Sequence, residues 1–205
     1  VGESVRKYIL ETSPGEFEID AVGTMNNEWE KTDFAKYDVV YHVAGIAHVN
    51  ADPKMAPLYY KVNRNLTIDV AQRAKDAGVR QFIFMSSQIV FHESRSLKTE
   101  VITKETRENP NGFYGDSKLQ AEIGLHKLEA DDFKVCILRP CMIYGPNAKG
   151  NFPRLARLAT KVPVFPCWHN KRSMLYIDNL AEFVKQAVLR NLSGTFYPQN
   201  REQVD

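Results

Sequence analysis

Short apolar runs and helix-period patterns alternate along this chain. Residues 3–12 carry apolar side chains at helical spacing and stop at Ser13-Pro14-Gly15, which predicts a helix. Residues 17–22 predict a strand. Residues 38–44 (DVVYHVA) are almost wholly apolar, the signature of a strand covered on both faces, and residues 81–86 (QFIFMS) repeat it. Between them, residues 57–77 predict a long helix broken by Gly78. Residues 111–130 predict another helix, 134–138 (KVCIL) a strand, and 151–160 a helix. A last helix runs from a cap at Asp178 to about residue 190. Strands separated by helices of this length imply βαβ units, and therefore an α/β fold built on a doubly wound parallel sheet. The polar stretch 92–110 predicts a surface loop. From Pro140 onward proline and aromatic residues become frequent, which predicts a smaller, irregular lobe beside the sheet.

Composition narrows the function. The chain has 205 residues, 43% of them hydrophobic, enough for one domain with a real core. Its 27 basic and 25 acidic residues leave a net charge of +2, and the basic residues form no long block, which argues against nucleic-acid binding. Three cysteines (Cys136, Cys141 and Cys167) without CxxC spacing argue against a disulfide framework or a zinc site and suit a reducing cytoplasm. No apolar run reaches the roughly 18 residues of a membrane span. His42, His48, His92, His126 and His169 share no metal-ligand spacing, so no metal is expected. Trp29 and Trp168 read as packing residues, Asp38 and Asp178 as residues that cap or flank strands.

In such sheets ligands bind beyond the carboxyl ends of the strands, so residues there carry the chemistry. Tyr114 and Lys118, in FYGDSK, stand one helical turn apart and project from one helix face. Alone this spacing is weak evidence, since nine tyrosines give it a fair frequency by chance. Ser86 and Ser87 change the picture, because they end a buried strand where a sheet presents groups to a ligand. The set makes a proton-transfer site: a lysine charge lowers the tyrosine pKa and a serine orients a substrate oxygen.

With these residues in place, YHVAG (41–45), VN (62–63), FMSSQIVF (84–91), YGDSK (114–118) and LRPCMIYGP (138–146) together resemble the extended short-chain dehydrogenase/reductases. Within them the chain resembles the NAD-dependent nucleotide-sugar epimerase/dehydratase group, including the UDP-glucose 4-epimerases. The resemblance covers almost the whole chain in order. It implies a Rossmann-like sheet, with residues 1–140 as an incomplete dinucleotide-binding domain and 141–205 as part of a nucleotide-sugar-binding lobe interleaved with it. It implies Tyr114 as catalytic acid and base, Lys118 as the ribose-binding lysine and Ser87 as the residue holding the reacting hydroxyl, with Ser86 structural. Ala44, Gly45, Asn63 and Pro140 would flank the cofactor. KGNFPRL (149–155), with Asn151 and Leu155, resembles the segment that binds the diphosphate of a UDP-sugar. Arg172 would pair with the same diphosphate, Met142 would face the sugar, and Phe165 in PVFP (163–166) would line the uracil. A homodimer through the helices at 57–77 and 111–130 is implied in the same way.

The chain also departs from the pattern. It opens at Val1-Gly2-Glu3, where Gly2 corresponds to the last glycine of the phosphate-binding turn, so the expectation is a fragment lacking the first strand and the terminal helices. No acidic residue in AVGTMNN is placed to bind an adenosine ribose, so NAD over NADP rests on the resemblance. Met142 replaces an asparagine, His92 a glycine and Phe91 a tyrosine. The expected reaction is NAD-dependent C4 epimerisation of a UDP-sugar in the cytoplasm. A 4-keto-nucleotide-sugar reductase consuming NAD(P)H and a non-catalytic truncated domain are the alternatives. Gln88 and Ile89 stand where a dehydratase wants an acid.

Overall fold

The computed structural model describes residues 1–47, 52–91, 101–103, 105–146, 152, 157, 160–161 and 171–204. Helix α1 (Gly2–Thr12) comes first, and a single turn, α2 (Glu28–Lys31), precedes strand β1 (Val39–His42). A continuous helical stretch then runs through α3 (Ala56–Tyr59), a π-helical segment (Tyr60–Asn65) and α4 (Leu66–Asp76). Strand β2 (Gln81–Met85), helix α5 (Phe113–His126) and strand β3 (Lys134–Leu138) follow. Short strands β4 (Met142–Tyr144) and β5 (Met174–Tyr176), helix α6 (Ile177–Leu189) and strand β6 (Gly194–Phe196) complete the described elements.

The main sheet has the order β1-β2-β3-β6, with every pair parallel. Its two faces can be read residue by residue. Phe82 and Phe84 of β2, with Val135 and Ile137 of β3, pack under Val70, Ala71 and Ala74 of α4 and Ala121 and Leu125 of α5. The alternating Ile83 and Met85, with Cys136 and Leu138, pack under Val5 and Ile9 of α1 and Leu180 and Val184 of α6. A strand whose odd and even positions are both buried has no polar face, which is why both runs are apolar after their first residues, Gln81 and Lys134. Gly78, at φ +86°, closes α4: its N–H reaches Lys75 O at 2.9 Å and the Val79 N–H reaches Ala74 O at 3.0 Å, the double bond of a Schellman cap.

Several expectations change. Residues 17–22 form no strand, since no described strand lies beside them to share a ladder; Phe17 and Ile19 only pack on the α1–α6 layer. Asp178 sits in the first turn of α6 and does not cap it; Tyr176 holds the cap position. It still favours the helix, because a carboxylate near the N-terminus meets the positive end of the dipole. Asp38 is exposed and pairs with Arg80 at 2.6 Å beside β1. Strands β4, β5 and β6 are additions to the predicted set, and β4 pairs with β5 in a separate two-stranded sheet. The helix predicted at 151–160 and residues His48, His92, Cys167, Trp168 and His169 lie outside the described residues or largely so. Cys136 and Cys141 are free and buried.

Candidate active site

The carboxyl ends of β1, β2 and β3 form one edge, and the first half of α5 reaches it. β1 runs out into Val43, Ala44 and Gly45, β2 into Ser86 and Ser87, and β3 into Arg139 and Pro140. Two backbone bonds carry the β2–β3 pairing past the strand ends: the Ser86 N–H donates to Leu138 O at 2.8 Å, and the Gln88 N–H to Pro140 O at 3.1 Å. Ser87 is therefore bracketed by fixed peptide groups. It also starts a 3-10 turn at Gln88–Val90, its Oγ accepting from the Ile89 N–H at 3.3 Å.

Helix α5 is seated on this turn by a glycine. A Cβ placed on Gly115 would lie 2.6 Å from the Ile89 carbonyl oxygen and 2.9 Å from Pro110 Cβ, so only glycine allows the approach. Gly115 follows Tyr114 directly, so this contact sets the helix backbone next to Tyr114 against the turn that Ser87 starts. The Tyr114 ring also meets Tyr59 edge-on, centroids 5.9 Å apart.

Lys118 is buried one turn further along α5. Its Nζ donates to Met85 O, at the end of β2, at 2.8 Å and lies 4.6 Å from the Phe84 ring centre. Desolvation lowers its pKa to about 8, and the carboxylate of Glu122 works in the opposite direction. Among the described residues this ammonium makes one hydrogen bond, so two of its three donors are open to a ligand.

Asn63 joins the layers. It is fully buried; its Oδ1 accepts from the Ile46 N–H at 2.8 Å, and its Nδ2 donates to Ile46 O and Ser117 Oγ, both at 3.1 Å. A Cβ on Gly45 would stand 3.0 Å from Asn63 Oδ1 and 3.1 Å from Lys118 Nζ, so Gly45 roofs both groups. Asn63 comes from the π-helical segment, whose wider turn offsets the register of the helix at that point. Below it, Thr67 Oγ1 donates to Asn63 O at 2.9 Å and lies 3.1 Å from His42 Nε2. His42 is enclosed by Phe82 and Phe84, and desolvation, with a smaller push from Lys118, lowers its pKa to about 3.

Gly2, at the start of α1, faces the end of β1: a Cβ there would lie 2.9 Å from Val43 Cγ2. That is the close helix–strand approach a dinucleotide-binding turn requires of its last glycine. Gly2, Gly45, Asn63 and Lys118 thus line the strand ends, with donors to spare on the Lys118 ammonium, and these residues fit a dinucleotide.

Met142 opens β4 and pairs with Met174, two residues after Arg172. Arg172 is exposed and bridges to Val204 through backbone bonds of 2.8 and 2.9 Å. Asn151, Leu155 and Phe165 fall outside the described residues. Sequence reading missed Gly115 and a buried ionic cluster beside Ser86: Glu122 accepts from Ser86 Oγ and is gripped by Arg139, with Nη2 at 2.5 Å and Nε at 3.1 Å. Glu122 lies one turn after Lys118 and Arg139 directly after β3, but nothing in the sequence shows that the fold sets the two together.

The chain is similar to known proteins. The model of the NAD dependent epimerase/dehydratase family matches residues 18–197. The chain belongs to that family. UDP-glucose 4-epimerase of Vibrio cholerae is 39% identical over 152 residues, covering 71% of this chain and 46% of its own length. The chain spans about half the length of the curated relatives it matches. Among solved structures, UDP-glucuronic acid 4-epimerase from Bacillus cereus in complex with NAD is 25% identical, with a TM-score of 0.69, covering 86% of this chain and 60% of that one. A dTDP-4-dehydrorhamnose reductase from Clostridium acetobutylicum, 19% identical and covering 98% of this chain and 71% of that one, shares the fold with a TM-score of 0.79. In this epimerase/dehydratase-family chain, no helix among the described residues is long and apolar enough to cross a membrane. No group of three or more His, Cys, Asp or Glu among them is placed to hold a metal ion.

Proposed function

We propose that this chain carries the acid–base and cofactor-binding centre of an enzyme that inverts C4 of a UDP-sugar through a transient 4-keto sugar. NAD, when bound, supplies the hydride acceptor and donor. The Tyr114 phenol exchanges the proton of the sugar 4-hydroxyl, and Ser87 Oγ holds that oxygen. The Lys118 ammonium favours the phenolate one turn away and directs its open donors to the nicotinamide ribose. Gly2, Ala44, Gly45, Asn63 and Pro140 form the backbone wall along the dinucleotide. On the sugar-nucleotide side, Arg172 pairs with the diphosphate, where a guanidinium fork suits two phosphate oxygens. Met142 faces the sugar, and Asn151, Leu155 and Phe165 complete that side.

The observation that carries this reading is the seating of α5. One helix sets Gly115, the neighbour of Tyr114, against the turn that Ser87 starts and buries Lys118 against the β2 end, beneath Gly45. The Vibrio cholerae relative supports UDP-sugar and C4 over the alternatives. Leu58 and Ile123 are 40% and 49% exposed on the two helices of the expected homodimer, and light scattering reads that association.

Calorimetric titration of NAD and UDP, followed by incubation with UDP-glucose and catalytic NAD, tests the proposal. Interconversion with UDP-galactose, without net NADH change and lost in Tyr114→Phe, is the expected result. Stoichiometric NADH consumption with a 4-keto sugar would replace it with the reductase, and UDP binding without NAD binding with a non-catalytic domain.

A further inference from the structure

The Glu122–Arg139 pair does nothing in the chemistry above, yet it sits between its two arms. Glu122 and Arg139 are 1% and 4% exposed. Arg139 holds both oxygens of Glu122 and spends its remaining Nη1 on Glu108 at 2.7 Å and the Tyr197 hydroxyl at 3.2 Å. Its guanidinium lies 5.2 Å from the centre of the Phe91 ring. The other Glu122 contact is Ser86, the residue before Ser87. One turn back on α5 stands Lys118, bonded to the carbonyl of Met85, the residue before Ser86.

We propose that Glu122 is a positioning residue for this site: it pins the Ser86–Ser87 end of β2 through the Ser86 hydroxyl and holds a counter-charge for Lys118, with Arg139 as its clamp. A buried ion pair is weak evidence for stability, because a well-packed apolar pair of similar volume often serves as well. The apolar pair would leave Ser86 without its acceptor and Lys118 without an anion. The effect on Lys118 follows from the surroundings. The other titratable groups near it and its partners are His42 from β1, Tyr59 from α3, Tyr114 on α5 itself, Arg139 and Glu108 beside β3, and Tyr197 beyond β6. His42 is neutral near pH 7, and of the two carboxylates, Glu108 and Glu122, it is Glu122 whose charge opposes the desolvation of Lys118.

This inference rests on the proposed roles of Ser87 and Lys118, so its primary readout is independent of turnover. With 13C-labelled lysine, the Lys118 Cε resonance is followed against pH in the wild-type chain, Glu122→Gln and Glu108→Gln. Glu122→Gln should weaken proton binding at Lys118 by about tenfold, the scale of one charge a turn away in a partly shielded interior. Glu108→Gln, which loosens Arg139 alone, should lower stability and leave Lys118 in place. Should Glu122→Gln not fold, the Glu122→Met/Arg139→Met double variant should shift Lys118 in the same direction by a smaller amount, because the Arg139 charge leaves with the anion. An unchanged Lys118 midpoint in the folded variant overturns the proposal and leaves the pair a structural one. Ser86→Ala checks the second arm: kcat should fall with KM held, and an unchanged kcat overturns that arm. If Tyr114→Phe is also fully active, the functional reading fails by itself, and the Lys118 titration still decides the role of Glu122.

Discussion

Replacing Gly115 by alanine adds one methyl group where the helix touches the Ser87 turn. The new Cβ would lie 2.6 Å from the Ile89 carbonyl oxygen, against 3.4 Å or more for ordinary contact, so the helix and turn must part by about 0.8 Å. The obstructing atom belongs to backbone, whose carbonyl is held in the 3-10 turn, and a rotamer change cannot relieve it. Overpacking of this kind costs roughly 1–3 kcal/mol, offset by about 1 kcal/mol from the better helix propensity of alanine. The net loss of up to about 2 kcal/mol lowers Tm by up to about 8 °C in a chain of this size. Separating Tyr114 from Ser87 should also reduce turnover by about a hundredfold, the usual penalty for a misplacement near 1 Å. Gly124→Ala is the matched control. Its Cβ would meet Ile68 Cδ1, and Cγ1 at 2.7 Å, an overpacking away from the Ser87 turn, so stability should fall while turnover holds. Urea unfolding and steady-state kinetics on both variants make the comparison. Wild-type stability and turnover in Gly115→Ala would refute the idea that this close approach sets the site.

Asn63→Ala should cost about 2–3 kcal/mol in urea unfolding, because it leaves the Ile46 peptide and the Ser117 hydroxyl without their buried partner, and faster hydrogen exchange at Ile46 should accompany it. Lys118 has a folded pKa of about 8, below its ordinary 10.5, so the unfolded chain binds more protons between those values and stability rises with pH across that window. Lys118→Met should therefore be more stable than wild type at pH 7, by on the order of 1–3 kcal/mol, with the gap closing toward pH 10.5 and NAD binding lost; urea midpoints at pH 7, 8 and 10 read it. His42, with a pKa of about 3 against 6.5, makes stability fall as the pH drops below 6.5, and His42→Gln should flatten that limb of the urea profile.

The sheet was legible where burial writes itself into composition. β2 and β3 are buried on both faces, and QFIFM and KVCIL carry no polar alternation. β4, β5 and β6 are three residues each, too short to show a period, and two of them depend on each other across a long gap in sequence. Residues 17–22 have strand composition, but composition cannot supply a neighbouring strand. In the site, Ser87, Tyr114 and Lys118 were legible as a set because their motifs are local. The roles of Gly115 and Glu122 were not, since each depends on what the fold sets against it: a carbonyl in one case, an arginine from another strand in the other. The π-helical segment was hidden for a related reason, as a one-residue offset in hydrogen bonding leaves the helical spacing of side chains nearly intact.

The Thr67 hydroxyl has one proton, and the carbonyl of Asn63 receives it. His42 must then supply the hydrogen of the 3.1 Å contact, which fixes the neutral imidazole in its Nε2–H tautomer and leaves Nδ1 as an acceptor. The core beneath the cofactor edge therefore has a direction. Protons point from β1 through Thr67 into the π-helical segment, and no member of the chain can reverse without orphaning the next. A substitution such as Thr67→Val would break this order at its middle while nearly conserving volume. Its effect should appear at Asn63 and the Gly45–Ile46 turn, a layer away from the changed atom.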